Sequence, residues 1–367
     1  MTDRALPSLH VLGSRQFGGA DQFYVRLLNA LHDAGQPVLA VNRPDSPVAR
    51  ALAGRDIEQV HLALANRWDF WSAWRMRRLL SERAPCVVQT YMGRATRLTR
   101  VPKGVPAVHV ARLGGFYKID GYYRHAHAWV GNTRAICDYM IGQGLPAERV
   151  FHIGNFVPEP RRFDDAGRAA LRAGLAVPAD AWLLFGLGRL IEKKGFQDLL
   201  AALADLPREI AGRPWVMLIG GDGEDAERLR LQCRRLGLDD RVRWLGWQDP
   251  PDPWYDLADV VVVPSRHEPL GNVILEAWNY RKPVVSSASD GARELIQPDR
   301  NGIMVPCADP LGLADGLQRA LQMDDAGRRE LGEAGWRELN AKHGQAAIVG
   351  AYLDLYERLM REHLGGG

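Results

Sequence analysis

Four consecutive valines, Val260–Val263, end at Pro264. A short run that is apolar on both faces reads as a parallel strand covered on both sides, the central kind found in α/β sheets. After Gly271 the pattern turns helical, through Asn272, Val273, Ile274, Leu275, Glu276 and Ala277, and Pro283, Val284 and Val285 open another strand. Glu268 therefore stands in a strand-to-helix loop, and Glu276 in the early part of the helix. The N–H groups of Gly271, Asn272 and Val273 would point back to the loop, with the positive end of the helix dipole behind them. Such a turn can hold a phosphate on its backbone while the flanking carboxylates accept hydrogen bonds from hydroxyls. A ligand carrying both kinds of group is a nucleotide sugar.

The same grammar recurs from the start of the chain. Ser8–Leu12 reads as a strand, residues 13–19 as a glycine-bearing loop, and Asp21 to Ala34 as a helix with Phe23, Leu27, Leu28 and Leu31 on one face. Val38 to Val41 is the next strand. Strand, glycine loop, helix and strand begin a doubly wound domain, whose ligands bind beyond the carboxyl ends of the strands. The loop does not fit the dinucleotide fingerprint. Two further strands, Cys86 to Tyr91 and Ala107 to Arg112, should bring Tyr91, Arg94, Arg112 and Tyr117 to a binding cleft. The family resemblance given below makes these four candidates on the acceptor side, with Arg112 suited to an acceptor or a phosphate.

A second series starts at Trp182. The buried strand Trp182–Leu187 runs into Gly188, Arg189 and Leu190, then Lys193, Lys194 and Gly195. Arg189 can fork two N–H bonds to phosphate oxygens, and Lys194 adds a mobile point charge. Trp215 to Gly220 is another strand, and Gly221 opens the turn after it. Pro158, Pro160, Arg161 and Arg162 break periodicity, which sets a linker at about 155–165. Residues 1–160 and 161–343 are thus expected as first and second domain, followed in residues 344–367 by a last helix over Ala346 to Leu364, which the family resemblance given below implies crosses back onto the first.

The Glu-x7-Glu spacing of Glu268 and Glu276, the Gly-Arg-Leu-x-x-x-Lys-Gly stretch and the turn at Gly221 together resemble retaining glycosyltransferases of family 4, over nearly the whole chain. The resemblance implies a GT-B architecture: two Rossmann-like domains facing across a cleft. It implies transfer of a sugar, with retention, from a UDP- or GDP-linked donor to a hydroxyl of a glycan or glycolipid in envelope polysaccharide or lipopolysaccharide synthesis. By the same resemblance Glu268, Arg189 and Lys194 are catalytic. Glu276, Leu270, Gly271, Asn272, Val273, Gly221, Gly18 and Gly19 bind the donor. No Asp-x-Asp motif stands at a strand end, so no metal and no cofactor beyond the donor is expected. Two features depart from the family: Arg112 and Gly114 stand where relatives carry a sugar-contacting histidine, and Trp278 to Lys282 lack the glycine that usually precedes the proline. Asn279 is the expected left-handed cap there. Rival readings are a nucleotide-sugar 2-epimerase of the same architecture and a non-catalytic binding protein.

Charge is divided unevenly. Up to residue 160 there are 20 Lys+Arg against 12 Asp+Glu, and beyond it 27 against 32, so +8 is followed by −5. A basic first half suits an anionic partner and argues against nothing in the donor half. Trp71, Trp74, Arg75 and Arg78 recur at helical spacing. They fit a helix lying on an anionic membrane, or one packing its tryptophans on the sheet with its arginines solvated, and the second is the plainer expectation. Cys86, Cys137, Cys233 and Cys307 have no paired spacing and read as reduced core residues. Residues 1–4 lead straight into a strand, with neither a signal peptide nor a membrane span in view, so the expected place is the cytoplasm or the inner face of its membrane.

Overall fold

The computed structural model describes residues 6–365; the expectation for residues 1–4 lies outside them. Two compact units divide the chain: residues up to Phe156 together with those from Gly344 on, and Val157–His343.

The first unit is a parallel sheet of β1 Ser8–Leu12, β2 Val38–Asn42, β3 Glu58–His61, β4 Cys86–Tyr91, β5 Ala107–Leu113, β6 Ala128–Gly131 and β7 Val150–His152, in the order β3-β2-β1-β4-β5-β6-β7. Its helices are α1 Gly19–Asp33, α2 Pro47–Leu52, α3 Phe70–Arg83, α4 Met92–Leu98 and α5 Arg134–Gly142. Strands β1, β2, β4, β5 and β6 are buried along their whole length, as apolar runs between two helical layers must be. Helix α1 starts where the Gly18 N–H donates to the Asp21 carboxylate at 2.9 Å, which satisfies a donor at the helix entry. The chain order reverses between β1 and β4, the switch point of this sheet. The C-terminal helix Gln345–Gly365 belongs to this unit. Its Ile348, Tyr352, Leu355, Tyr356 and Leu359 are buried in one cluster with Phe23, Leu27 and Phe156. Each buried aliphatic side chain contributes about 1.5–3 kcal/mol, enough to hold a helix on a sheet.

The second unit contains β8 Trp182–Leu187, β9 Glu209–Ile210, β10 Arg213–Gly220, β11 Val242–Gly246, β12 Val260–Val263, β13 Val284–Ser287 and β14 Ile303–Val305. The parallel order is β11-β10-β8-β12-β13-β14, with β9 antiparallel on β10. Around it lie α6 Asp165–Gly174, α7 Phe196–Asp205, α8 Ala226–Arg235, α9 Asp252–Leu257, α10 Asn272–Asn279, α11 Asp290–Leu295, α12 Pro310–Gln322 and α13 Asp325–His343. The valines of β12 divide between two cores: Val260 and Val262 face one, Val261 and Val263 the other. That division is why all four must be apolar. The switch point here lies between β8 and β12.

Two expectations need correction. Helix α10 does not end on a left-handed Asn279. Arg281 takes that conformation, at φ 55°, while the N–H groups of Arg281 and Lys282 donate to the carbonyls of Trp278 and Ala277 at 2.8 and 3.0 Å. Room for it comes from α13, where a Cβ on Gly332 would lie 2.1 Å from the Arg281 carbonyl oxygen, and one on Gly335 2.2 Å from the Trp278 ring. The other correction concerns α3, which packs through Ser72, Met76, Leu79 and Leu80 and leaves Trp71 and Trp74 exposed.

Candidate active site

The residues that bear chemistry in the second unit leave adjacent strands at its switch point. From β8 come Gly188, Arg189 and the single turn Glu192–Lys194; from β12 come the loop to Leu270 and then α10. The two loops are locked together through backbone. Gly195 is left-handed at φ 71°, and a Cβ there would lie 1.9 Å from the Pro264 carbonyl oxygen. The Lys193 carbonyl accepts from the N–H groups of Arg266 and His267 at 3.0 and 3.1 Å. Arg266 donates twice to the buried Asp198 carboxylate, at 2.6 Å each, which ties the loop to α7. Bidentate charge-assisted pairs of this kind fix direction as well as distance.

This lock brings Lys194 to Glu268, and the two form an ion pair. Beyond Glu268 the chain is again held by backbone. The Gly291 N–H donates to the Glu268 carbonyl at 2.8 Å, and a Cβ on Gly291 would lie 2.3 Å from the Leu270 carbonyl carbon. Gly271, at φ 78°, then caps α10. The first N–H groups of any helix have no acceptor within the helix, so those of Asn272 and Val273 sit at its positive end. Leu270 is buried, so its side chain is closed to a ligand. Glu276 lies one turn into α10 and accepts a hydrogen bond from Tyr255 at 2.8 Å. Tyr255 is itself held by stacking on Tyr280 and by the edge of Phe185. Nothing local in the sequence pointed to Tyr255, which stands 21 positions before Glu276.

Arg189 is exposed and makes no ion pair or side-chain hydrogen bond with the described residues. Its loop rests on the next one: a Cβ on Gly221 would lie 1.8 Å from the Gly188 carbonyl oxygen, one on Gly223 2.4 Å from that of Leu190, and the Leu190 N–H donates to Asp222 at 2.9 Å. Gly221 is thus required by packing, with φ at 129°.

In the first unit, Gly18 and Gly19 are exposed at the end of β1, where α1 begins. The acceptor-side candidates fare differently. Arg112 is buried: its guanidinium lies 3.9 Å over the Phe23 ring and donates to Tyr352 Oη at 3.1 Å and to Asn155 Oδ1. Tyr91 is also buried, with Gln89 Nε2 at 2.7 Å and His10 Nδ1 at 2.9 Å from its hydroxyl. Burial holds that hydroxyl well above its ordinary pKa and pushes His10 down to about 3, so both are neutral. The expectation that Arg112 and Tyr91 reach an acceptor is therefore corrected: Arg112 ties the C-terminal helix to the sheet through Tyr352, and Tyr91 is enclosed in the core that this helix completes. Arg94 is half-buried and donates to the carbonyls of Leu64 and Ala65 at 3.0 and 3.2 Å. Tyr117 is half-buried, and its carbonyl accepts from Tyr139.

Two doubly wound units of parallel sheet are the architecture of GT-B glycosyltransferases. HepE of Anabaena, solved with UDP and glucose, has the same fold, with a TM-score of 0.82 at 20% identity over 96% of this chain and all of that one. Residues 167–337 match the family described as glycosyl transferases group 1. The lipopolysaccharide core biosynthesis glycosyltransferase LpsD of Rhizobium meliloti is 33% identical over 93% of this chain and 95% of its own length. LpsE of the same organism is 34% identical over 92% and 95%. The chain belongs to the group 1 glycosyltransferases.

Proposed function

We propose that this glycosyltransferase moves a sugar from a nucleoside-diphosphate donor, UDP-linked in the first instance, to a hydroxyl of a lipopolysaccharide core or related lipid-linked glycan at the inner face of the cytoplasmic membrane. The observation that carries the donor half is the meeting of Lys194, Glu268 and the α10 N-terminus at one switch point. Likeness to LpsD and LpsE supports the acceptor class, and the UDP bound by HepE supports the base. In this reading the N–H groups of Gly271, Asn272 and Val273, with Arg189, hold the diphosphate. Glu276, aimed by Tyr255, accepts from the ribose hydroxyls. Donor binding draws Lys194 from Glu268 to the phosphate, which frees the Glu268 carboxylate for the hydroxyls of the sugar.

Transfer proceeds with retention. The new C–O bond forms on the face from which the diphosphate leaves, and the acceptor proton passes to the departing phosphate oxygen. Charge on that oxygen is met by fixed backbone dipoles and two basic side chains, so no metal ion is required. Losing one such preorganised donor typically costs about 10²–10³ in rate. Thermal shifts with UDP, GDP and ADP on the wild type and on Glu276→Ala test the donor site. Stabilisation by UDP alone, absent in the variant, is expected. No shift with any nucleotide at millimolar concentration defeats the reading.

A further inference from the structure

Helix α3 turns its aromatic residues to solvent. Trp71 is 77% exposed, Phe70 75%, Trp68 56% and Trp74 54%, and the rings of Trp71 and Trp74 meet edge to face at 6.2 Å. Four exposed rings on one short segment are not a packing accident, because the opposite face of the same helix carries Met76, Leu79 and Leu80 into the core. Arginines are interleaved with them. Residues 66–83 contain five arginines against Asp69 and Glu82. Both acids are occupied: Asp69 caps α3 by accepting from Ser72, and Glu82 pairs with Arg78. Arg75 and Arg77 are exposed, with no acidic partner among the described residues. The guanidinium groups of Arg67 and Arg97 both lie over the Trp68 ring, 5.1 and 4.9 Å from its centroid. Beside the edge strand β3 the helix also borders a groove of about 420 Å³, whose apolar wall is Val60, Leu62, Trp74 and Leu79 and whose charged flank includes Arg75 and Arg83.

We propose that this face docks the protein on an anionic lipid bilayer, with the rings at the level of the headgroups and the arginines on lipid phosphates. Tryptophan is suited to that depth because its ring is apolar and its N–H is wet, and each arginine near such a surface adds electrostatic attraction. The charge pattern disfavours a second copy of this chain as occupant, since a twofold interface would set the arginines against themselves. Among the described residues no helix is long and apolar enough to cross a membrane, so the contact is peripheral. The inference stands on α3 alone and does not depend on the donor chemistry proposed above.

The test is co-sedimentation of the full chain with vesicles of phosphatidylglycerol and phosphatidylethanolamine, against vesicles of phosphatidylcholine. Binding to the anionic vesicles is expected, with a blue shift of tryptophan emission and weakening at high salt. Trp71→Ser with Trp74→Ser, and separately Arg75→Glu with Arg77→Glu, should each lower partitioning by about tenfold or more. All four positions are exposed, so the urea midpoint and any nucleotide-induced thermal shift should stay at their wild-type values. Equal binding to neutral vesicles, no binding at all, or full binding by both double variants overturns the proposal. So does a wild-type dimer in light scattering that the tryptophan variant abolishes, which would assign the face to a second copy.

Discussion

Replacing Gly195 by alanine tests the lock between the two active-site loops. The new Cβ would stand 1.9 Å from the Pro264 carbonyl oxygen, where ordinary contact begins at 3.4 Å, so the segments must part by about 1.5 Å. That oxygen is backbone and cannot rotate away. Parting the segments breaks the two bonds that the Lys193 carbonyl accepts from Arg266 and His267, each worth about 1 kcal/mol. The left-handed φ of 71° costs a further 1 kcal/mol or so once a Cβ is present. The expected loss is about 3 kcal/mol. Gly212 supplies the control, because it has the same φ of 71° with nothing within 4 Å of its would-be Cβ, and Gly212→Ala should lose only about 1 kcal/mol. Urea denaturation followed by tryptophan fluorescence measures both. Thermal shift with UDP should be lost in Gly195→Ala and kept in Gly212→Ala. Equal stability losses in the two variants would refute the argument that close backbone approach fixes these loops.

Three further outcomes follow from individual contacts. Tyr255→Phe removes the hydroxyl that orients Glu276 and should weaken nucleotide binding by about 1 kcal/mol in titration calorimetry, roughly fivefold, with little change in folding. Gly335→Ala should destabilise the second unit by about 1–3 kcal/mol in the same urea assay, because its Cβ meets the buried Trp278 ring. His10, buried and depressed to about 3, contributes stability that is full above its unfolded pKa near 6.5 and is lost as pH falls from there toward 3. At pH 5 the loss is about 2 kcal/mol, and His10→Gln should flatten that part of the stability profile by this amount.

How much of this was legible in the chain depends on the range over which each signal acts. The valines of β12 had to be apolar on both faces, so four adjacent residues declared a covered parallel strand. Glu268, Gly271 and Glu276 lie within one strand-to-helix turn, so their placement could be read from the local pattern. Helix α3 shows the limit of periodicity. It groups Trp71 with Trp74 and, equally well, Met76 with Leu79 and Leu80, but cannot say which group meets the sheet. The nineteen residues of α13 drew no helical reading because Gly327, Gly332 and Gly335 weaken its propensity. Two of those glycines answer to Arg281 and Trp278, some fifty positions earlier, so their reason is tertiary. Asp198 and Arg266 are likewise joined only by folding, across 68 positions.

Arg112 is where the two levels of reading part most sharply, and one pair of variants separates them. From its place at the end of β5 the sequence offers it to an acceptor; in the fold its guanidinium bridges Asn155 and Tyr352 over the face of Phe23. If it is a tie, Arg112→Met keeps the volume but removes the charge-assisted bonds to Asn155 Oδ1 and Tyr352 Oη, each worth about 1.5–3 kcal/mol. The replaced cation also had no carboxylate partner among the groups that hold it, so its desolvation penalty disappears in the variant and offsets part of that loss. A net destabilisation of about 2 kcal/mol in urea is expected. Tyr352→Phe should lose about 1 kcal/mol on its own and much less in the Arg112→Met background, since the bond is already gone. Nucleotide affinity should stay unchanged in all three variants. An acceptor-contacting arginine would behave in the opposite way, with wild-type stability, additive effects and a raised acceptor KM. That pattern would return Arg112 to the acceptor side and leave the C-terminal helix held by its apolar face and by polar ties such as that of the Tyr356 hydroxyl, which donates to Gln89 at 2.7 Å.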